Sequence, residues 1–344
     1  MPANAQVFSL PSTGKPRCNS SEPKRGGFGM FGRRAMLAAG LAAPALKAQA
    51  QERPIQIMVG FTPGGNIDLA ARMAAPFLEK YLGGQQIIVV NRPGAGGMIM
   101  LNEVSAAPAD GRIAALVSLP ALVTALYDNT PRYRVESFAY VGLLTDEPYT
   151  IFVAPNSPYR SLTDLIEAAR ARPEEITMAG AGIGSAPHLA LMQLENASGV
   201  RFTWLPTTGA GQAMQLVQGG HVVGSISTVS LTVRAHLQGS LRVLALMEKQ
   251  RWDKAGDLPT VAEAGFPLAA GSARGFALPA ATPEPILARW EEAVRRTAED
   301  PEFRAIAERD FLIVRHMNRT TMRGFVDEQY AAYGQMWQRT PWKK

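Results

Sequence analysis

IQIMVGFTPGGNIDLAARMAAPFLEKY, residues 55–81, decides how the rest of the chain is read. Residues 55–60 form a short apolar run rich in β-branched side chains, which predicts a buried strand. Phe61-Thr62-Pro63-Gly64-Gly65 is a turn, punctuated by Pro and Gly. Asn66 is placed to cap the helix that follows, and Asp68 puts a carboxylate in its first turn, where the dipole is positive. Leu69, Met73 and Phe77 recur every four residues and predict that helix's buried face. Strand, glycine loop and helix N-terminus in this order present backbone N–H groups at a point of positive potential, where anions bind.

The same unit recurs. Residues 86–90 are a second β-branched run, followed by the loop NRPGAGG at 91–97 and a helix from about Met98 to Ala107. Residues 113–119 and 149–154 read as strands, and Ser161 to Asp164 has the spacing of a capping box. Residues 176–179 are a strand that runs into a third glycine loop, GAGIGSA at 180–186, with Pro187 suited to the start of a helix. Further strands are expected at 202–205, 222–226 and 241–246, and residues 271–278 read as a strand returning toward the first block. Helices starting near Thr282, Asp300 and Thr320 or Thr321 form a tail. Alternating strands and helices argue for a parallel α/β sheet. The layout falls into two similar blocks, 54–154 and 155–276.

The formal charge of +6 is confined to the first fifty residues, which hold seven basic residues against Glu22 alone. The remainder is neutral, so the basic balance gives no argument for a nucleic-acid surface. The single cysteine, Cys18, lies in the same stretch, which removes disulfides, thiolate metal sites and a cysteine nucleophile from the body. Arg33-Arg34, the apolar run 35–46 and Ala48-Gln49-Ala50 follow the order of an export signal cleaved near Ala50. The arginine pair suits either the Sec or the twin-arginine route. Residues 1–29 have a disordered composition, and Met30 is an alternative start to Met1.

Patterns for catalysis are weak. Gly180-x-Gly182-x-Gly184 misses the dinucleotide spacing, and there is neither a P-loop nor a nucleophile elbow. The four histidines of the body form no zinc-binding pair. His188 either faces a pocket or braces the third loop. Ser185 is read as a loop hydroxyl that caps or donates, in preference to a nucleophile served by His188. Asp68 and Arg72 are spaced for an i, i+4 pair. Arg92 and Arg274 either face an anionic ligand or pair with a carboxylate. No cofactor and no metal are called for.

With these loops in place the sequence resembles the Bug family, the periplasmic solute-binding receptors of tripartite tricarboxylate transporters. The matching stretches are FTPGGNIDLAAR at 61–72, NRPGAGG at 91–97, APADG at 107–111, GAGIGSAPHL at 180–189, LPTVAEAG at 258–265 and TPEPI at 282–286. The resemblance implies an α/β fold of the two-lobed periplasmic-binding-protein type, a type II Venus flytrap with two crossing strands. Domain 1 would comprise 54–154 plus 277–344 and domain 2 would comprise 155–276. It implies a ligand carboxylate held by Thr62, Gly64 and Gly65 on one side and by Gly184, Ser185 and His188 on the other.

Asn66, Asp68, Thr207 and Ser227 complete the expected ligand-binding set. Asn66 stands where the family carries Gly, Ser or Pro. Thr207-Thr208 replaces a Tyr-Lys pair, and Ser227-Thr228 falls where an Asp is frequent. The missing carboxylate leaves less to hold an ammonium, so a carboxylate ligand without an amine is expected, its apolar or aromatic body near Met98 and Met100. The expected protein is a monomeric, non-catalytic receptor in the periplasm, docking on membrane permease subunits or on a sensor protein. An α/β dehydrogenase or hydrolase is the competing class.

Overall fold

The structure, a computed structural model, describes residues 53–255 and 257–343. The export signal, its cleavage site, Cys18 and the two candidate starts lie outside the described residues.

The chain opens with β1 (Ile55–Val59), α1 (Asn66–Tyr81), β2 (Ile87–Asn91), α2 (Met98–Ser105), β3 (Ile113–Leu119) and α3 (Ala121–Asp128). It continues through β4 (Phe138–Val153), α4 (Leu162–Ala171), β5 (Thr177–Ala181), α5 (Ala186–Ser198), β6 (Thr203–Thr207), α6 (Ala210–Gln218), β7 (Gly224–Thr228), α7 (Val229–Leu237) and β8 (Arg242–Leu246). It closes with β9 (Gly271–Pro279), α8 (Glu284–Glu299), α9 (Pro301–Arg309), β10 (Val314–Met317) and α10 (Arg319–Arg339).

One sheet runs through all ten strands, in the order β2-β1-β3-β9-β4-β7-β5-β6, with β8 and β10 also paired to β4. The β1–β2, β1–β3, β5–β6 and β5–β7 pairs are parallel, as βαβ connections require. Two strands break that pattern. β9 lies antiparallel between β3 and β4, and β4 is long enough to serve both halves of the sheet. From Phe138 to Pro148 it pairs with β9, and from Tyr149 to Val153 it pairs with β7 and β8. Pro148, which lacks an N–H for a central ladder, sits at this hand-over.

Each half buries its own core on both faces. Met58, Val117 and Leu143 pack on α10 and α3 residues, while Ile57, Leu116 and Phe276 pack on α1 and on Trp290 of α8. In the other half Ile151, Met178 and Ile226 face α4 and α5, while Phe152 and Val243 face α6 and α7.

The face of α1 differs from its four-residue spacing. Leu69 is 47% exposed, and the buried stripe is Ile67, Ala71, Ala74, Ala75 and Leu78, joined by Phe77. Three alanines let the helix axis approach the sheet closely, so the small residues take the inward face. Asn66 is not the cap either. Gly65 occupies the N-cap position, and Asn66 is the first helical residue.

Candidate functional site

Two strand–loop–helix turns, 120 residues apart, share one construction. Gly64 has φ of +79° and Gly184 has φ of +77°, left-handed conformations that side chains rarely adopt. In each, the glycine N–H is taken by the side chain four residues on, which turns back from the first turn of the following helix. Gly64 N–H donates to Asp68 Oδ2 at 2.8 Å, and Gly184 N–H donates to His188 Nδ1 at 3.1 Å. The next residue is the N-cap in both cases, Gly65 before α1 and Ser185 before α5, each with an extended backbone. The two glycine amides are thus committed to the protein itself. The amides without an intrahelical acceptor are those of the first turns beyond, Asn66, Ile67 and Asp68 in α1 and Ala186 and His188 in α5.

Asp68 is fully buried and accepts from Arg72 Nε at 3.0 Å and from Asn91 Nδ2 at 2.9 Å as well as from Gly64. Burial opposes its charge, but the bonds from Arg72, Gly64 and Asn91 outweigh burial and hold its carboxyl below the usual range. It shapes the first loop rather than facing solvent. His188 does the corresponding work in the third loop. Its Nδ1 accepts, so the neutral ring carries its proton on Nε2, and burial pushes its pKa down to about 4. Its ring lies 5.1 Å from that of Trp204. Ser185 donates its hydroxyl to the Ala181 carbonyl at 2.9 Å, so neither partner of a nucleophile–base pair is available to the other. Thr207 likewise turns its hydroxyl to the Gly180 and Gly209 carbonyls. Thr62 is exposed, and its carbonyl accepts a long bond of 3.5 Å from Gly65.

The two halves of the sheet meet at these helix ends. Asn66 Nδ2 donates to Thr228 Oγ1 at 3.3 Å, joining the first residue of α1 to the N-cap of α7. Thr228 Oγ1 is 3.2 Å from Ser230 Oγ, and Ser230 N–H donates to Glu147 Oε2 at 3.2 Å. Glu147 forms a buried ion pair with Arg274 across β4 and β9. Gly184 makes the second meeting point. A Cβ there would fall 2.9 Å from Trp342 Cδ1 and closer still to the Asp128 carboxylate, which itself accepts from Trp342 Nε1 at 2.7 Å. Ser227 is buried at the end of β7.

Asn66 is thus linked through Thr228 and Ser230 to Glu147 and Arg274, and Gly184 lies against Asp128 and Trp342; of these partners only Arg274 stands out in the sequence. Arg92 pairs with Glu103 at 3.4 Å on the surface. A groove of about 1300 Å³ lies beside Tyr333 and Met336 of α10, residues 248–252 and the Pro148–Gly271 crossing, and none of the expected ligand residues lines it.

The family model for the tripartite tricarboxylate transporter family receptor matches residues 70–340. Protein BugT of Bordetella pertussis is 30% identical over 299 residues, covering 86% of this chain and 85% of its own. Among solved structures, the periplasmic binding protein BugD is 28% identical with a TM-score of 0.78, covering 85% of this chain and 99% of its own. A Rhodopseudomonas palustris protein solved with adipate is 26% identical with a TM-score of 0.78, covering 83% of this chain and 97% of its own.

Proposed function

Because the chain belongs to the tripartite tricarboxylate transporter receptor family and has its periplasmic-binding-protein fold, we propose that it is a periplasmic receptor that captures a small carboxylate between its two halves and delivers it to a membrane transporter. The observation that carries this reading is the meeting of α1 and α7 through Asn66 and Thr228. Open amides at a helix N-terminus attract an anion; the α7 end already has Glu147 on its Ser230 amide, so the open end facing it is that of α1.

The site takes Asn66, the first-turn amides of α1 and α5, and Ser227 as its ligand contacts. Gly64, Gly65 and Gly184 give the loops their shape, with Asp68 and His188 as their braces. Thr62 sits at the rim, and Ser185 and Thr207 hold the loops of the second half. Binding proceeds by hinge motion at β4 and β9, the two strands that cross between the halves. A ligand touching both halves favours the closed form, because it has contacts there that the open form cannot make.

No described helix is long and apolar enough to cross a membrane. Glu147 is engaged by the Arg274 guanidinium and the Ser230 N–H, so its charge is balanced within the protein and is not offered to a ligand ammonium. An amine-free carboxylate is therefore the ligand class, as adipate is in the R. palustris neighbour.

The test is titration calorimetry of the purified protein against adipate, malate, benzoate, aspartate and glutamate, with small-angle scattering on the same samples. Binding of an amine-free acid with a fall in radius of gyration is expected. Binding of aspartate or glutamate alone, or of no acid at all, would sink the reading.

A further inference from the structure

Beneath the helix ends lies a buried cation that is only partly partnered. Arg274 is 1% exposed on β9, opposite Ser118 of β3 and Thr145 of β4. A guanidinium offers five N–H groups. Nη1 is committed to Glu147, whereas Nε and Nη2 reach neither solvent nor any hydrogen-bond partner among the described residues. These two atoms form one edge of the planar group, and their N–H bonds run parallel. That is the edge that grips a carboxylate side-on with two bonds. Unpaired buried donors are costly, and a pair of them on one edge calls for an acceptor.

A second orphan comes from the opposite half. Ser227 Oγ is buried and has no partner among the described residues. Its neighbour Thr228 accepts from Asn66, and an unbroken polar path runs from Asn66 through Thr228, Ser230 and Glu147 to Arg274. That path puts the guanidinium at the foot of the site between α1 and α7. Glu147 meanwhile sits on the N-terminus of α7, so this anion position is filled from within.

We infer that the Nε–Nη2 edge of Arg274 is the charged anchor for one carboxylate of the ligand. Glu147 fixes the guanidinium plane and closes the α7 end to a second carboxylate. The inference rests on the receptor function proposed for the chain and names the group that recognises the ligand there. Since the edge is sealed from solvent, the halves must part before a carboxylate reaches it.

The experiment is calorimetric titration of adipate, malate and benzoate into the purified protein, into Arg274→Lys and into the double variant Glu147→Gln/Arg274→Gln. The double variant removes both charges together and leaves no lone buried ion. Arg274→Lys keeps the pair with Glu147 but has no parallel edge. We expect at least one acid to bind the unaltered protein, Arg274→Lys to weaken it tenfold or more, and the double variant to weaken it further. The melting temperature without ligand should move only a few degrees in Arg274→Lys. An acid that binds the variants as tightly as the unaltered protein overturns the anchor and leaves the receptor function standing. Failure of every acid to bind the unaltered protein overturns both. Should the double variant not fold, the affinity of Arg274→Lys alone decides between these outcomes.

Discussion

Asn66 Nδ2 lies 3.3 Å from Thr228 Oγ1, and this bond ties the first turn of α1 to the N-cap of α7 across the two halves of the sheet. Under the proposed hinge closure this bond belongs to the closed form, so its removal should act on closure. Thr228→Val deletes the acceptor at nearly constant volume. One neutral hydrogen bond contributes about 0.5–1.5 kcal/mol, so carboxylate affinity should fall by a factor between about two and about thirteen. Scattering should show a larger radius of gyration for the variant at saturating ligand. Unchanged affinity together with an unchanged radius would show that the bond has no part in closure.

Gly64 and Gly184 share a backbone conformation but differ in surroundings. A Cβ at Gly64 meets nothing within 4 Å, whereas at Gly184 it meets Asp128 and Trp342. Gly64→Ala should therefore cost only the left-handed strain, about 1–2 kcal/mol. Gly184→Ala should cost this and also hold Asp128 and Trp342 away, so its ligand affinity should drop more than tenfold beyond that of Gly64→Ala. Urea melts and titrations of the two variants side by side make the comparison. Equal losses in both would refute the close approach.

His188 gives the fold a dependence on pH with a defined sign. Its folded pKa is pushed down to about 4, against an ordinary value of 6.5. Above 6.5 the ring is neutral in both states and costs nothing. As the pH falls from 6.5 toward 4 the unfolded chain takes up a proton that the folded chain refuses, so stability declines across that window and levels off below it. His188→Asn keeps an acceptor for the Gly184 amide and cannot titrate. Its stability should be flatter than that of the unaltered protein between pH 6.5 and 4, measured by urea midpoints. Parallel curves would show that His188 does not set this dependence.

Asp68 gives the same sign in a lower window. Its carboxyl lies below the ordinary 3.8, so its contribution is present above that value and is lost as the pH falls through the folded pKa. Asp68→Asn weakens its three bonds and should lower stability by about 1–3 kcal/mol at neutral pH. The amide of Gly64 should exchange faster with deuterium in this variant. Full protection of that amide would mean another group holds the loop.

The strand–loop–helix plan is legible in the sequence because Gly, Pro and β-branched runs act locally. The i, i+4 pairing of Asp68 and Arg72 is legible for the same reason. The capping box at Ser161 and Asp164 also forms as its spacing predicts. What escapes is tertiary. Alanines outcompete Leu69 for the inward face of α1 because closeness to the sheet favours small side chains. Only 149–154 reads as a strand in the sequence, because Gly142 and Pro148 interrupt the stretch before it, yet pairing with β9 carries β4 through both. α3 spans eight residues, too few to show a period, and β10 only four. Neither Thr228 nor Glu147 carries a local signature, because their partners lie 162 and 127 residues away. For Arg274, the sequence poses a carboxylate partner and a ligand as alternatives, but a guanidinium has edges enough for both.

β4 and β9 lie side by side where the chain passes from one half to the other, with Pro148 opposite Gly271. Everything between those two residues is a single insert whose ends are neighbours in space. Two crossovers in the gene, one near codon 148 and one near codon 271, would exchange that insert whole. The surrounding sheet would be cut at only one place. A lineage of such receptors could thus acquire a new half-site by recombination while keeping the half that carries Arg274 and α1.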